Sequence, residues 1–324
     1  MSNCPDTEDL IFTSPLTGCP GDTVCHTSVV LNLHLNYPGK FRTHFDTRIP
    51  ELWENNPYQT PRHELKNPRH IPLYFGIHDT EERRMHFIEF WLRSLSDSLG
   101  LPIPLLKCRG DLYLTKEECD RPIRDLTGSD EPYWLLCASH KTDCRTKWYP
   151  TESWQAIVDG LAGKVKFVRP AHKPTILTGD ADFSRDIGGR HFVPQLRGVV
   201  ELAGKTGIRD SMRLVYHAEG IVCCITFLQH LAAAIPRPPG KTEVRPCVVI
   251  AGGREGQFVT QCPGQNILHT IGAMDCCSSG GCWKSHVVEM GAKSDRCLRP
   301  SNGYAECMRR VSPERVIQTV LSMI

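Results

Sequence analysis

Short apolar runs that close in glycine-containing turns, each followed by a stretch of helical periodicity, recur along this chain and constrain its fold more than any other feature. A strand buried on both faces needs a continuous apolar run, and a return to the same edge of a parallel sheet needs a crossover, usually a helix. DLIFTSPL (Asp9 to Leu16) reads as a first strand, TGCPGD as a turn, and TVCHTSVVLNLHLNYPG as the helix after it, stopped by Pro38 and Gly39. FRTHFDT reads as a second strand. From Thr80 to Leu99, apolar Met85, Ile88, Trp91, Leu92, Leu95 and Leu99 follow helical spacing, with Gly100 where a left-handed cap is expected.

A second series starts at PYWLLCASHK. WQAIVDGLAG reads as a helix, KVKFVRP and GVVELAG as strands, IRDSMRLVYHAE as a helix and GIVCCI as a strand. TFLQHLAAAI then reads as a short helix, and RPCVVIAGG as a strand with a glycine turn. In VSPERVIQTVLSMI, Ser312 is the expected N-cap and Pro313 the first helical residue, with Val316, Ile317, Val320, Leu321 and Ile324 on one face. The expected class is α/β, with two Rossmann-like domains, 1–128 and 129–324, meeting within TGSDEP and facing a central cleft.

Several function classes are excluded by bulk properties. A chain of 324 residues exceeds one ordinary core, and 40% hydrophobic with 23% charged residues is a globular balance. A formal net charge of +2 gives no strong electrostatic footprint for nucleic acid or an anionic membrane. MSNCPDTEDLIF lacks the pattern of a secretory signal, and GIVCCITFLQHLAAAIP, interrupted by Gln229 and His230, is not a membrane span. The expectation is a cytoplasmic protein without a transmembrane segment, whose sixteen cysteines stay reduced.

Three places can carry chemistry. Asp22 follows the first strand and its glycine turn, where a carboxylate can act as general base or merely cap the helix. Lys147, in TKWYP, follows the first strand of the second series, where an ammonium can meet a phosphate or simply be solvated. Thr226 opens a helix directly after GIVCCI, so free amides and the helix dipole favour a diphosphate there. His230, one turn on, is a ligand contact or a packed core histidine. No dinucleotide fingerprint is present, because GxGxxG spacing is absent from TGCPGD.

CCSSGGCWKSHVVEMGAKSDRC and the later LRPSNGYAEC form a cysteine-rich finger over 276–307. Cys277, Cys282, Cys297 and Cys307 are spaced C-x4-C-x14-C-x9-C, which can bring four thiolates to one zinc or iron ion. Cys276 is equally placed to replace Cys277. The alternative is reduced cysteines filling small core spaces, as expected of Cys223 and Cys224. A metal saturated by four cysteines would be structural, with no organic cofactor required.

TGCPGD, HFDTRIPELWENNP, GDLYLTKEE, TKWYP, LAGKTGIRDSMRLVYHAEG, TFLQHLAAA and VVIAGGRE, in that order, resemble glycosyltransferase family nine, the ADP-heptose heptosyltransferases of GT-B fold. LHTIGAMDCCSSGGCWKS resembles the branch containing bacterial autotransporter heptosyltransferases, which glycosylate protein acceptors and hold iron through C-terminal cysteines. The resemblance implies transfer of a sugar, a heptose, from an ADP-sugar to a hydroxyl on a protein or saccharide acceptor, with inversion. It implies Asp22 as the base, Gly21 as the point of close backbone approach, and Lys147 on the donor phosphates. It further implies Thr206 near the nucleoside, and Thr226, His230 and Leu231 at the diphosphate. The four cysteines would hold one structural iron or zinc, and a homo-oligomer is compatible with the reading. Ile225 departs from the family, whose lipopolysaccharide members usually place aspartate there. Two alternatives stay open: a nucleotide-sugar epimerase or hydrolase of the same fold, and a non-catalytic metal-finger interaction protein.

Overall fold

The computed structural model describes residues 7–16, 18–73, 84–138, 140–141, 145–171, 176–178, 191–282, 297 and 299–324. In the first half, β1 (Glu8–Thr13) leads into α1 (Pro20–Asn36) and β2 (Phe41–Phe45). β3 (Arg69–Pro72) pairs on the other side of β1, giving the parallel order β2-β1-β3. Leu10 and Phe12 of β1 are fully buried beneath Val24, Val29 and Leu33 of α1.

The helix expected from Thr80 begins only at Phe87, as α2 (Phe87–Leu99), and residues 80–83 lie outside the described part. Its start is set by His86, whose Nδ1 accepts the Ile88 amide at 3.1 Å, and its end by left-handed Gly100. Met85 is buried, but in the segment before the helix. Short helices α3 (Lys116–Asp120) and α4 (Arg124–Thr127) close this half.

The second half builds a larger sheet. β4 (Trp134–Cys137), α5 (Thr151–Gly160), β5 (Phe167–Ala171), β6 (Val199–Ala203), α6 (Ile208–His217) and β7 (Gly220–Cys224) follow in sequence. Then come α7 (Phe227–Ala234), β8 (Cys247–Gly252), β9 (Gln265–His269) and the C-terminal α8 (Pro313–Leu321). The strand order is β9-β8-β7-β4-β5-β6, parallel throughout. The chain builds outward from β4 to β6, then restarts at β7 on the other side of β4. A crevice opens at such a reversal, outside the carboxyl ends of the two strands.

One apolar cluster runs from Leu10 and Phe12 through Trp91 to Leu135, Ile221, Leu231 and Val249, so it touches both sheets. A second lies on the other face of the larger sheet, joining Leu136, Val222 and Val248 to Tyr149, Trp154 and Val316. Ser312 caps α8, accepting the Arg315 amide, and Val316 and Val320 are buried. Ile324 is an exception to the expected face: it lies past the helix end and is exposed. Cys223 and Cys224 are buried core residues.

Candidate active site

The turn after β1 and the loops after β4 and β7 carry the candidate residues Asp22, Lys147 and Thr226. Asp22 lies in the first turn of α1, three residues after the N-cap Cys19, so it is not itself the capping residue. Gly21 is already helical. A Cβ there would lie 3.1 Å from Cδ2 of His230 and 3.7 Å from the Phe227 α-carbon. The absent side chain thus lets the first turn of α1 rest against the first turns of α7. One turn on, Cys25 Sγ lies 3.5 Å from His230 Nδ1, a second contact between these helices.

Burial and the nearby charge of Lys147 and ring of His86 push His230 down to about 3, so its imidazole is neutral. Thr226 is the N-cap of α7, but its hydroxyl does not cap; it donates to Cys137 Sγ at the end of β4, 3.6 Å away. The expected helix start is therefore found at the reversal point, with the first amides of α7 at the crevice. Leu231 is fully buried in the apolar cluster, so its side chain is committed to packing.

Lys147 sits in a 3-10 turn over Arg145–Lys147, after β4. Its Nζ lies 2.7 Å from Oε1 of Glu255, a residue in the AGGREG turn after β8 that sequence reading had not singled out. The glutamate is 1% exposed and the lysine side chain 23%. The only sequence signal for Glu255 is its place directly after a strand and a glycine turn, the same kind of position that marked Asp22. Thr206 lies on the loop after β6, two strands from β4, almost fully buried, with its hydroxyl unpartnered among the described residues.

The cysteines of the finger that are described converge on one apolar cluster. Cys276, Cys282 and Cys297 pack against the apolar cluster that contains Cys277 and Cys307. Burial, with neighbouring thiols adding to it, pushes Cys282 up to about 12 and Cys307 up to about 11. Among the described residues no group of three or more His, Cys, Asp or Glu is arranged to hold a metal ion. The four-cysteine arrangement of Cys277, Cys282, Cys297 and Cys307 is thus not found as expected. One reason is visible at Cys277, whose thiol is directed to the Met274 and Thr270 carbonyls at 3.3 and 3.6 Å. Residues 283–296 and 298 of the finger lie outside the described part.

The model of glycosyltransferase family 9 (heptosyltransferase) matches residues 68–239, more than half of the chain. The chain belongs to glycosyltransferase family 9. As a member it is a sugar-transferring enzyme, and its two parallel α/β layers are of GT-B type. Among solved structures it is similar to ADP-heptose lipopolysaccharide heptosyltransferase II of E. coli, with TM-score 0.60 and 14% identity over 97% of this chain and 98% of that one. It is also similar to TibC of enterotoxigenic E. coli H10407, an iron-containing dodecameric glycosyltransferase, with TM-score 0.65 and 18% identity over 98% and 77%. A family 9 glycosyltransferase of Veillonella parvula DSM 2008 gives TM-score 0.62 and 13% identity over 99% of each chain. Identities this low carry the fold alone. No curated protein matches the chain in sequence. No helix among the described residues is long and apolar enough to cross a membrane.

Proposed function

We propose that this family 9 enzyme transfers a heptose from ADP-heptose to an acceptor hydroxyl on a protein or saccharide, with inversion, in the cytoplasm. The carrying observation is the contact of Gly21 with His230 and Phe227, because it sets Asp22 of one sheet's crossover beside the diphosphate-binding end of the other's. In this reading Asp22 takes the proton of the acceptor hydroxyl as its oxygen attacks the anomeric carbon. The bond from that carbon to the diphosphate breaks on the opposite face, and ADP leaves with the electron pair. Lys147 and the first amides of α7, which follow Thr226, receive the charge that develops on the leaving oxygen. His230, neutral, holds the two helices together through Gly21 and Cys25. Thr206 is assigned to the nucleoside, its buried and unpartnered hydroxyl being an available partner.

The cysteine cluster is assigned to one structural iron or zinc ion, held by Cys277, Cys282, Cys297 and Cys307, with Cys276 as the alternative to Cys277. What supports this is the convergence of thiols that raise one another's pKa, since a cation removes both the burial and the like-charge penalty once they ionise. A saturated tetrathiolate ion supplies folding energy and no open position for substrate.

The test is ADP release from ADP-heptose with and without acceptor, in wild type and Asp22→Asn. Acceptor-dependent release that falls about a hundredfold or more in the variant, with ADP-heptose still bound, is expected. Release at the wild-type rate in Asp22→Asn would remove Asp22 as the base, and release without any acceptor would favour a hydrolase.

A further inference from the structure

Glu255 is a buried charged group that the proposed reaction does not use. It stands in the turn after β8, the strand beside β7, and its carboxylate is shielded from solvent behind the partly exposed Lys147. Lys147 Nζ is 2.7 Å from Oε1, while the next cation, Arg254, has its Nε 4.0 Å away. Neither carboxylate oxygen has an aligned hydrogen-bond donor among the described residues, so charge attraction to Lys147 dominates its environment. The ammonium is the more exposed partner of this ion pair, its side chain 23% accessible against 1% for the glutamate.

We propose that Glu255 is a positioning residue and counter-ion for Lys147: it fixes the ammonium at the crevice and weakens its hold on ADP after transfer. This rests on the reading that Lys147 receives the donor diphosphate. A carboxylate on one side of the ammonium and a diphosphate on the other repel each other in a medium less polar than water. The pair of negative charges therefore competes for one cation. Binding of donor draws on Lys147 at the expense of Glu255, and departure of ADP returns the ammonium to the carboxylate. The transferred sugar and the acceptor play no part in this competition, so its effect falls on nucleotide affinity and on product release.

The experiment is titration calorimetry of ADP with wild type, Glu255→Gln and Glu255→Asp, together with steady-state kinetics of the same proteins. Glu255→Gln, which keeps shape and loses charge, is expected to bind ADP about 10- to 100-fold more tightly. Its KM for ADP-heptose and its kcat fall together, because ADP leaves slowly. Glu255→Asp keeps the charge and is expected to bind ADP within about threefold of wild type. It also serves as the test if Glu255→Gln does not fold, since tightening in Glu255→Asp comparable to that predicted for loss of the charge would overturn the proposal. Weaker or unchanged ADP binding in Glu255→Gln overturns it as well, and is what a merely structural glutamate gives. Wild type that binds no ADP refutes the underlying function instead.

Discussion

Lowering the pH from neutrality should unfold this protein through its buried histidines before most carboxylates titrate. His26 lies in α1 between Phe45 and Trp91, with ring centroids 4.8 and 4.5 Å away, fully buried and with both nitrogens unpartnered among the described residues. Burial pushes its pKa down to about 3. His230 is pushed down to about 3 and His86 to about 4, burial being the main cause in each. The ordinary value, and hence the unfolded one, is 6.5. Above that value neither state binds protons, and the stability is complete. As pH falls below it, the unfolded chain gains protons that the folded one refuses, so stability is lost until the folded pKa is reached. Each group contributes about 1.4 kcal/mol per pH unit, or about 2 kcal/mol between neutrality and pH 5. Three together remove on the order of 6 kcal/mol, comparable to the roughly 5–15 kcal/mol of a typical domain. Urea unfolding followed by tryptophan fluorescence across this window measures the slope. His34, also pushed down by burial to about 4, adds a fourth such group, so His26→Leu should leave neutral stability equal or higher and reduce the slope by about a quarter. A flat profile from neutrality to about pH 5, or an unchanged slope in His26→Leu, would refute the buried neutral imidazoles.

Lys147→Ala should abolish donor binding and also destabilise the fold by about 3–5 kcal/mol in urea unfolding, because Glu255 is left buried without its cation. Adding Glu255→Gln to that variant should restore most of the stability and none of the binding. Gly21→Ala should leave unfolding free energy within about 1 kcal/mol, since better helix propensity offsets the push on His230, yet lower kcat/KM as the two helix ends are forced apart. Cys282→Ser in anaerobically purified protein should remove bound iron or zinc, read by elemental analysis, and lower the melting temperature. Wild type carrying neither metal refutes the metal assignment.

The parallel strands were legible because their signal is local: unbroken apolar runs such as GIVCCI and PCVVIAGG have few other uses. β3 and β9 were not. Arg69–Pro72 buries only Ile71 and pairs through its backbone to β1, and β9, at the edge of its sheet, has just Ile267 and Leu268 as apolar residues, so neither has a continuous apolar run. Periodicity also overextended α2, since buried Met85 fits the helical spacing while lying outside the helix. For the candidate site, only the positions of Asp22, Lys147 and Thr226 after β1, β4 and β7 could be read ahead, because they follow from the strand pattern. Glu255 could not, because a glutamate in a glycine turn is usually solvated, whereas here it is 1% exposed. The Cys25–His230 contact joins residues 205 apart in sequence and leaves no local trace.

The cysteine cluster and the Glu255–Lys147 ion pair meet at one turn, the one that follows β8. The carbonyl of Gly253 accepts the Cys282 amide at 2.9 Å. A Cβ at Gly253 would lie 3.1 Å from Cys277 Sγ and 3.2 Å from Cys307 Cβ, so the turn after β8 lies directly on the cysteines. Two residues further on, Glu255 pairs with Lys147. Asp22, by contrast, is carried by α1, which rests on α7 and on the smaller sheet. Loosening the thiol cluster therefore acts first on the Gly252–Gly256 turn and the Glu255–Lys147 pair that it carries. A thiol cluster with no open chemistry of its own can still bear on Lys147, the cation proposed above for the donor, by fixing the turn whose glutamate pairs with it.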